Sequence, residues 1–154
     1  LPIIGFNFGA KNKKRVIGAV KYGIIYSVSM MVLGTIIFQL FPVQLLSLFS
    51  STPEMLKIGV VCLRVISVGF IFSGFSIVLS TVFQAFGDAY MSLALSFARQ
   101  IILLLPFAYI FSKIFGLVGV WIAFPTSEII CFILAFIFAV IVYKKSIANL
   151  DNLK

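Results

Sequence analysis

Histidine is absent from this chain, which removes histidine-based metal sites, haem ligation through histidine and Ser-His-Asp chemistry. Charge is scarce too: Asp, Glu, Lys and Arg together make up 10% of the 154 residues, and only 4 of them are acids. A soluble domain carries about a quarter charged residues. Cysteine occurs twice, as Cys62 and Cys131 in separate apolar stretches. Neither a CxxC pair nor a secreted disulfide framework exists, and both cysteines read as small buried hydrophobes.

What the chain has in quantity is apolar surface. Hydrophobic residues make up 62% of it, and the mean hydropathy is +1.23. One modest soluble core cannot hide that much. An ordinary soluble protein, a disordered chain and a disulfide scaffold are excluded; an all-α integral membrane protein is expected. Leu1-Pro2-Ile3-Ile4 has no basic region ahead of its apolar residues, so it is not a signal peptide. It reads as the end of a preceding helix, and the chain as a fragment.

A helix needs about 20 apolar residues to cross a hydrocarbon core of roughly 30 Å. Four stretches meet that length, at 16–41, 55–86, 90–111 and 117–143, whereas barrel strands are shorter and alternate. Residues 1–15 are then a helix end and a basic loop, 42–54 the connecting loop, and 144–154 a tail. The apolar segment 43–49 is too short to cross and reads as interfacial. Ser51-Thr52-Pro53-Glu54 offers a hydroxyl cap, a proline and an acid to the second span. Gly87-Asp88 makes a tight join, so consecutive spans are expected to be antiparallel neighbours.

Basic residues set the expected orientation. Lys11, Lys13, Lys14, Arg15 and Lys21 precede or open the first span, and Lys144, Lys145 and Lys154 return to the same side. The other side has Lys57 and Lys113 against Glu54. The first loop and the C-terminus are therefore expected in the cytoplasm, with the net charge of +8 serving as an orientation signal. No nucleic-acid partner is implied; an unspecific attraction to anionic lipid in the bilayer is.

Ionisable groups inside a bilayer are costly and mark function by default. Glu128 is the deepest, and Arg64 and Arg99 are its candidate charge partners. Low dielectric disfavours the charged form of a carboxyl, which suits a proton- or cation-coupling site. The competing reading makes Glu128 structural glue, paired with Arg64 or Arg99. Pro125, one turn before Glu128, leaves the Trp121 carbonyl without a donor and is a candidate hinge; Pro106 is a second. Gly69, Ser73, Ser76, Ser80 and Gln84 share one helical face, as a packing surface or a cavity wall. Of the 18 Phe residues, most are expected to face lipid.

Four strings carry a family likeness. Pro2-Ile3-Ile4-Gly5-Phe6-Asn7-Phe8-Gly9-Ala10-Lys11-Asn12 resembles the segment closing the eighth helix of MATE (multidrug and toxic compound extrusion) transporters. Phe83-Gln84-Ala85-Phe86-Gly87 is similar to the end of their tenth helix, and Ser96-Phe97-Ala98-Arg99-Gln100 to the start of the eleventh. Gly116-Leu117-Val118-Gly119-Val120-Trp121-Ile122-Ala123-Phe124-Pro125 resembles the start of the twelfth. The order and spacing match as well.

The resemblance implies a twelve-helix antiporter of two six-helix lobes in the cell membrane, with this chain supplying helices nine to twelve. It implies export of organic cations or other drug-like toxic compounds, driven by H+ or Na+ as the coupling ion, with no cofactor. The remaining helices of the same transporter would be its partners. Family members place coupling carboxylates in the seventh helix and some in the tenth; no acid lies between Glu54 and Asp88 here, which leaves Glu128 as the coupling candidate. A lipid-linked sugar flippase of the same superfamily would favour a more basic cavity, and a non-transporting scaffold subunit would pair its intramembrane charges with a partner. An enzyme is not expected, because no nucleophile–base pair or metal-ligand cluster is present.

Overall fold

Helices account for the regular structure of the computed structural model, which describes residues 1–49 and 52–147. Ser51 of the expected cap and the 148–154 end of the expected tail, with Lys154, lie outside the described residues. Helix α1 (Pro2–Gly9) leads into α2 (Lys13–Leu40), whose first turn is capped by the Asn12 side chain accepting from the Arg15 N–H at 3.2 Å. A short α3 (Pro42–Ser47) covers most of the segment read as interfacial. Thr52 caps α4 (Pro53–Ser67) by accepting from the Met55 N–H at 3.3 Å, with Pro53 and Glu54 in the first turn.

The second apolar stretch is broken. α4 and α5 (Phe70–Ala85) meet at Val68-Gly69 with a bend of 49°. A break frees backbone carbonyls that lipid cannot satisfy, and α2 supplies the donors. Thr35 Oγ1 donates to the Ser67 carbonyl at 2.9 Å, and Gln39 Nε2 donates to the Arg64 carbonyl at 2.8 Å.

α5 ends at Gly87, whose φ of 84° lets the Asp88 N–H turn back to the Phe83 carbonyl at 2.9 Å. α6 (Ala89–Phe97) then passes into a π-helical stretch, Ala98–Leu104, and α7 (Leu105–Val142). Pro106 follows the π stretch inside a continuous helical run, so its missing N–H leaves a carbonyl of that stretch without a helix donor. The helical run does not continue straight. Arg99 and Glu128 would be about 43 Å apart on one straight helix, yet their side chains meet at 4.0 Å. The reversal is at Gly116, with φ 61° and ψ −140°, a region essentially reserved for glycine.

Beyond the reversal one face of α7 is a row of small residues, Gly119, Ala123, Ser127, Cys131 and Ala135, all buried. Spacing of four lets a neighbouring backbone approach closely. α5 fills that space, and Leu79 and Phe83 form a core with Leu95, Cys131, Ala135 and Val142. Several phenylalanines pack between helices here, as Phe75 does on Phe132 with ring centres 4.7 Å apart. Cys131 is buried, whereas Cys62 is only half-buried, a correction to the expectation for the latter.

Lys13–Leu40 is long and apolar enough to cross a membrane, and α4 with α5 make another span as one bent pair. The apolar run Ala89–Lys145 also qualifies by length but folds back on itself at Gly116. One end of the assembly gathers the basic segments. Phe8 packs on Phe86 at 4.5 Å, and Lys145 Nζ donates to Asp88 Oδ1 at 3.1 Å. The α1–α2 join, the α5–α6 turn and the end of α7 therefore share one side.

Candidate functional site

Glu128 sits one turn after Pro125 on the returning arm of α7, about 22 Å along the helix from Tyr143. Helical dihedrals continue through Pro125, whose missing N–H leaves the carbonyl of Trp121 without its helix donor. Pro125 and Glu128 face the α4–α5 break. A Cβ placed on Gly69 would lie 3.1 Å from the Pro125 Cα and 3.4 Å from the Glu128 Cγ. The bent span and the proline-bearing helix thus touch at their irregular points, with glycine making the contact possible.

Arg99 reaches Glu128 from the π-helical stretch. Its Nη1 stands 4.0 Å from Glu128 Oε2, an ion pair too long for a hydrogen bond. The Glu128 side chain is 18% exposed, and the buried Oε2 accepts no hydrogen bond among the described residues. Ser73, whose hydroxyl donates to the Gly69 carbonyl at 3.2 Å, is the other polar group beside the carboxylate. A carboxylate so placed can take a proton or a cation at Oε2 without first breaking a hydrogen bond.

The rest of the polar face of α5 opens on a cavity of about 210 Å³, shared by Ser76, Ser80, Gln84, Arg99 and Cys131. Ser80 and Ser92 hydroxyls are 2.7 Å apart, and Gln84 Nε2 donates to Ser92 Oγ at 2.7 Å. The face therefore divides: Gly69 and Ser73 pack at the carboxylate, whereas Ser76, Ser80 and Gln84 border the cavity. Arg99 belongs to both. Arg64 is exposed at the end of α4 and stands apart from the pair, and Pro106 is exposed and outside the site. Among the described residues, no group of three His, Cys, Asp or Glu could hold a metal ion.

Ser92 was not singled out from the sequence, although Ser92, Ser96 and Arg99 recur at spacings of four and three and so share a face. The small-residue row of α7 was also overlooked, and its strict spacing of four was its signal.

The MatE family model matches residues 1–110, more than two thirds of the chain. The chain belongs to the MatE family. Probable multidrug resistance protein NorM of Thermotoga maritima is 28% identical over 122 residues, 78% of this MatE chain and 26% of that protein. A multidrug resistance MATE family transporter of the MOP superfamily, solved inward-facing, superposes with a TM-score of 0.86 at 25% identity, covering 98% of this chain and 34% of its own. The MATE multidrug transporter DinF-BH, solved as a complex, gives 0.83 at 33% identity, over 95% of this chain and 32% of its own.

This MatE chain thus spans between a quarter and about a third of the length of these relatives. Three of the four family-like strings fall inside the matched residues 1–110. The fourth, at Gly116–Pro125, falls within the structural superposition, which takes in nearly the whole chain. The family is one of membrane transporters, and the long apolar helices of this member agree with that setting.

Proposed function

We propose that this chain forms helices nine to twelve of a secondary active multidrug antiporter, crossing the membrane four times with the basic end in the cytoplasm. The transporter would export organic cations or other toxic compounds in exchange for protons or sodium by alternating access of two lobes around a midplane cavity. Glu128 is the coupling carboxylate of this segment, and Arg99 is its resting counter-ion. Uptake of a proton or cation at Glu128 weakens the hold on Arg99, which borders the polar cavity of Ser76, Ser80 and Gln84 and can turn toward it. Pro125, packed on the Gly69 break, lets the two irregular helices shift together.

The observation that carries this reading is the buried Glu128 Oε2, facing Arg99 at 4.0 Å with no hydrogen bond among the described residues. The family membership and the multidrug transporters among its relatives supply the transport context. The test is efflux of a fluorescent cationic dye from vesicles containing the full-length transporter under an imposed proton or sodium gradient. Glu128→Gln keeps size and polarity and removes the titratable charge, so gradient-driven efflux should be lost at normal protein levels. Undiminished efflux would place coupling in other helices and leave Glu128 as an internal tie.

A further inference from the structure

A second cavity lies away from the carboxylate, on the other flank of α5. It is a groove of about 420 Å³ between α2, α5 and the end of α7. Leu79, Phe83, Ile25 and Ala139 are among its lining; Lys21 and Tyr143 are its only polar side chains among the described residues. Phe86 lies at the end of α5 and Tyr143 just past the end of α7, while Lys21 is the ninth residue of α2, about 12 Å inside its start, on a stem long enough to carry its ammonium back toward that end. These three helix ends share one side of the assembly, as the Phe8–Phe86 and Lys145–Asp88 contacts show. Leu79 and Ala139 are deeper by about 6–10 Å along their helices. The groove is therefore amphiphilic, with the Tyr143 phenol at the water side, the Lys21 ammonium able to snorkel toward it, and hydrocarbon along the rest.

Two further observations say what fits it. Neither Lys21 Nζ nor the Tyr143 hydroxyl has a hydrogen-bond or ionic partner among the described residues. The surrounding end is strongly basic, with Lys11, Lys13, Lys14 and Arg15 on one flank and Lys144 and Lys145 on the other. Its one described acid, Asp88, is already held by Lys145 at 3.1 Å. A zwitterionic headgroup would bring its own cation into this field. A headgroup carrying net negative charge would not.

We propose that this groove is a binding site for one anionic phospholipid of the adjacent leaflet. An acyl chain lies over Leu79 and Phe83, and a phosphate oxygen accepts from Lys21 Nζ and the Tyr143 hydroxyl. Lysine serves such a phosphate as a point charge, the tyrosine stands at interface depth, and the flanking basic residues add attraction that salt screens. The proposal needs only the membrane setting and stands apart from the transport reading, so the failure of one leaves the other intact.

The test uses the full-length protein purified from membranes in mild detergent, with retained phosphatidylglycerol and phosphatidylethanolamine counted by mass spectrometry. Lys21→Gln should lower phosphatidylglycerol retention about fivefold, the effect of one lysine near an anionic surface. Lys21→Arg should keep it, and Lys57→Gln, at the opposite end of the helices, should leave it unchanged. A photo-reactive phenylalanine at Ile25, activated in native membranes, should form its adduct with phospholipid. Equal retention in Lys21→Gln, an equal loss in Lys57→Gln, or an adduct with another protein helix would each overturn the proposal.

Discussion

Gly69 and Pro125 meet where a broken span packs on a proline-bearing helix, so closely that a methyl group between them would need the backbone to give by a few tenths of an ångström. A Cβ on Gly69 would stand 3.1 Å from the Pro125 Cα and 3.4 Å from the Ile66 carbonyl oxygen, both backbone atoms that cannot rotate away. Gly69→Ala should therefore destabilise the full-length transporter by about 1–3 kcal/mol through overpacking. Gly18→Ala in α2, where a Cβ meets nothing within 4 Å, should be neutral or stabilising by up to about 1 kcal/mol, because alanine is the better helix former. Melting temperatures of the two variants in detergent check the contrast. Equal shifts would mean that the Gly69 contact yields freely.

The Arg99–Glu128 pair makes a prediction about coupling. Their side chains are mostly buried, at 25% and 18% exposure, so removing either partner leaves the other charge poorly compensated. Arg99→Gln and Glu128→Gln should each lower stability, and the double variant should cost less than their sum by about 0.5–3 kcal/mol. The interaction should fade as pH falls, because a protonated Glu128 offers no charge to Arg99. A double-mutant cycle of melting temperatures at neutral and acidic pH reads both effects. Additive single effects at neutral pH would mean that the 4.0 Å approach carries no energy.

The apolar runs were legible because length alone tells a membrane crossing from a core helix, and Glu128 and Arg99 stood out because charge in such runs is rare. Their meeting was not legible: Arg64 and Arg99 were equally good partners on paper. The choice depends on the reversal at Gly116, which brings the π-helical stretch back against α7. The break in the second span was hidden for a related reason. Gly69 looks like any packing glycine, while the donors that make a break tolerable, Thr35 and Gln39, lie 32 and 25 residues away from the carbonyls they reach. Ser92 went unseen because a serine in an apolar helix signals little until Ser80 and Gln84 are found converging on it.

The hairpin of α7 should be intolerant of side chains at two glycines for different reasons. At Gly116 a Cβ meets nothing within 4 Å, but φ 61° with ψ −140° is strained for any other residue. Gly116→Ala should cost about 1–3 kcal/mol. At Gly119 the backbone is helical, but a Cβ would collide with the Phe111 carbonyl of the opposite arm. Gly119→Ala must therefore push the arms apart and disturb the Arg99–Glu128 contact further along. Folded yield by size-exclusion chromatography should fall for both variants, while cationic-dye efflux per folded molecule should fall mainly for Gly119→Ala. The reverse order would place the functional constraint in the turn.

The α4–α5 break should depend on α2 more than on its own residues. Thr35 Oγ1 donates to the Ser67 carbonyl at 2.9 Å, and Gln39 Nε2 reaches both the Arg64 carbonyl at 2.8 Å and Ser67 Oγ at 3.0 Å. Ser67 is buried, so lipid cannot replace these donors. Thr35→Val and Gln39→Leu should each cost about 0.6–1.7 kcal/mol, the range for hydrogen bonds between membrane helices. Because both act on Ser67, whose hydroxyl itself donates to the Arg64 carbonyl at 3.1 Å, their combination should depart from additivity. A cycle of melting temperatures measures the departure. Strict additivity would mean that the two carbonyls are satisfied independently, and that Thr35 and Gln39 hold the break as separate ties.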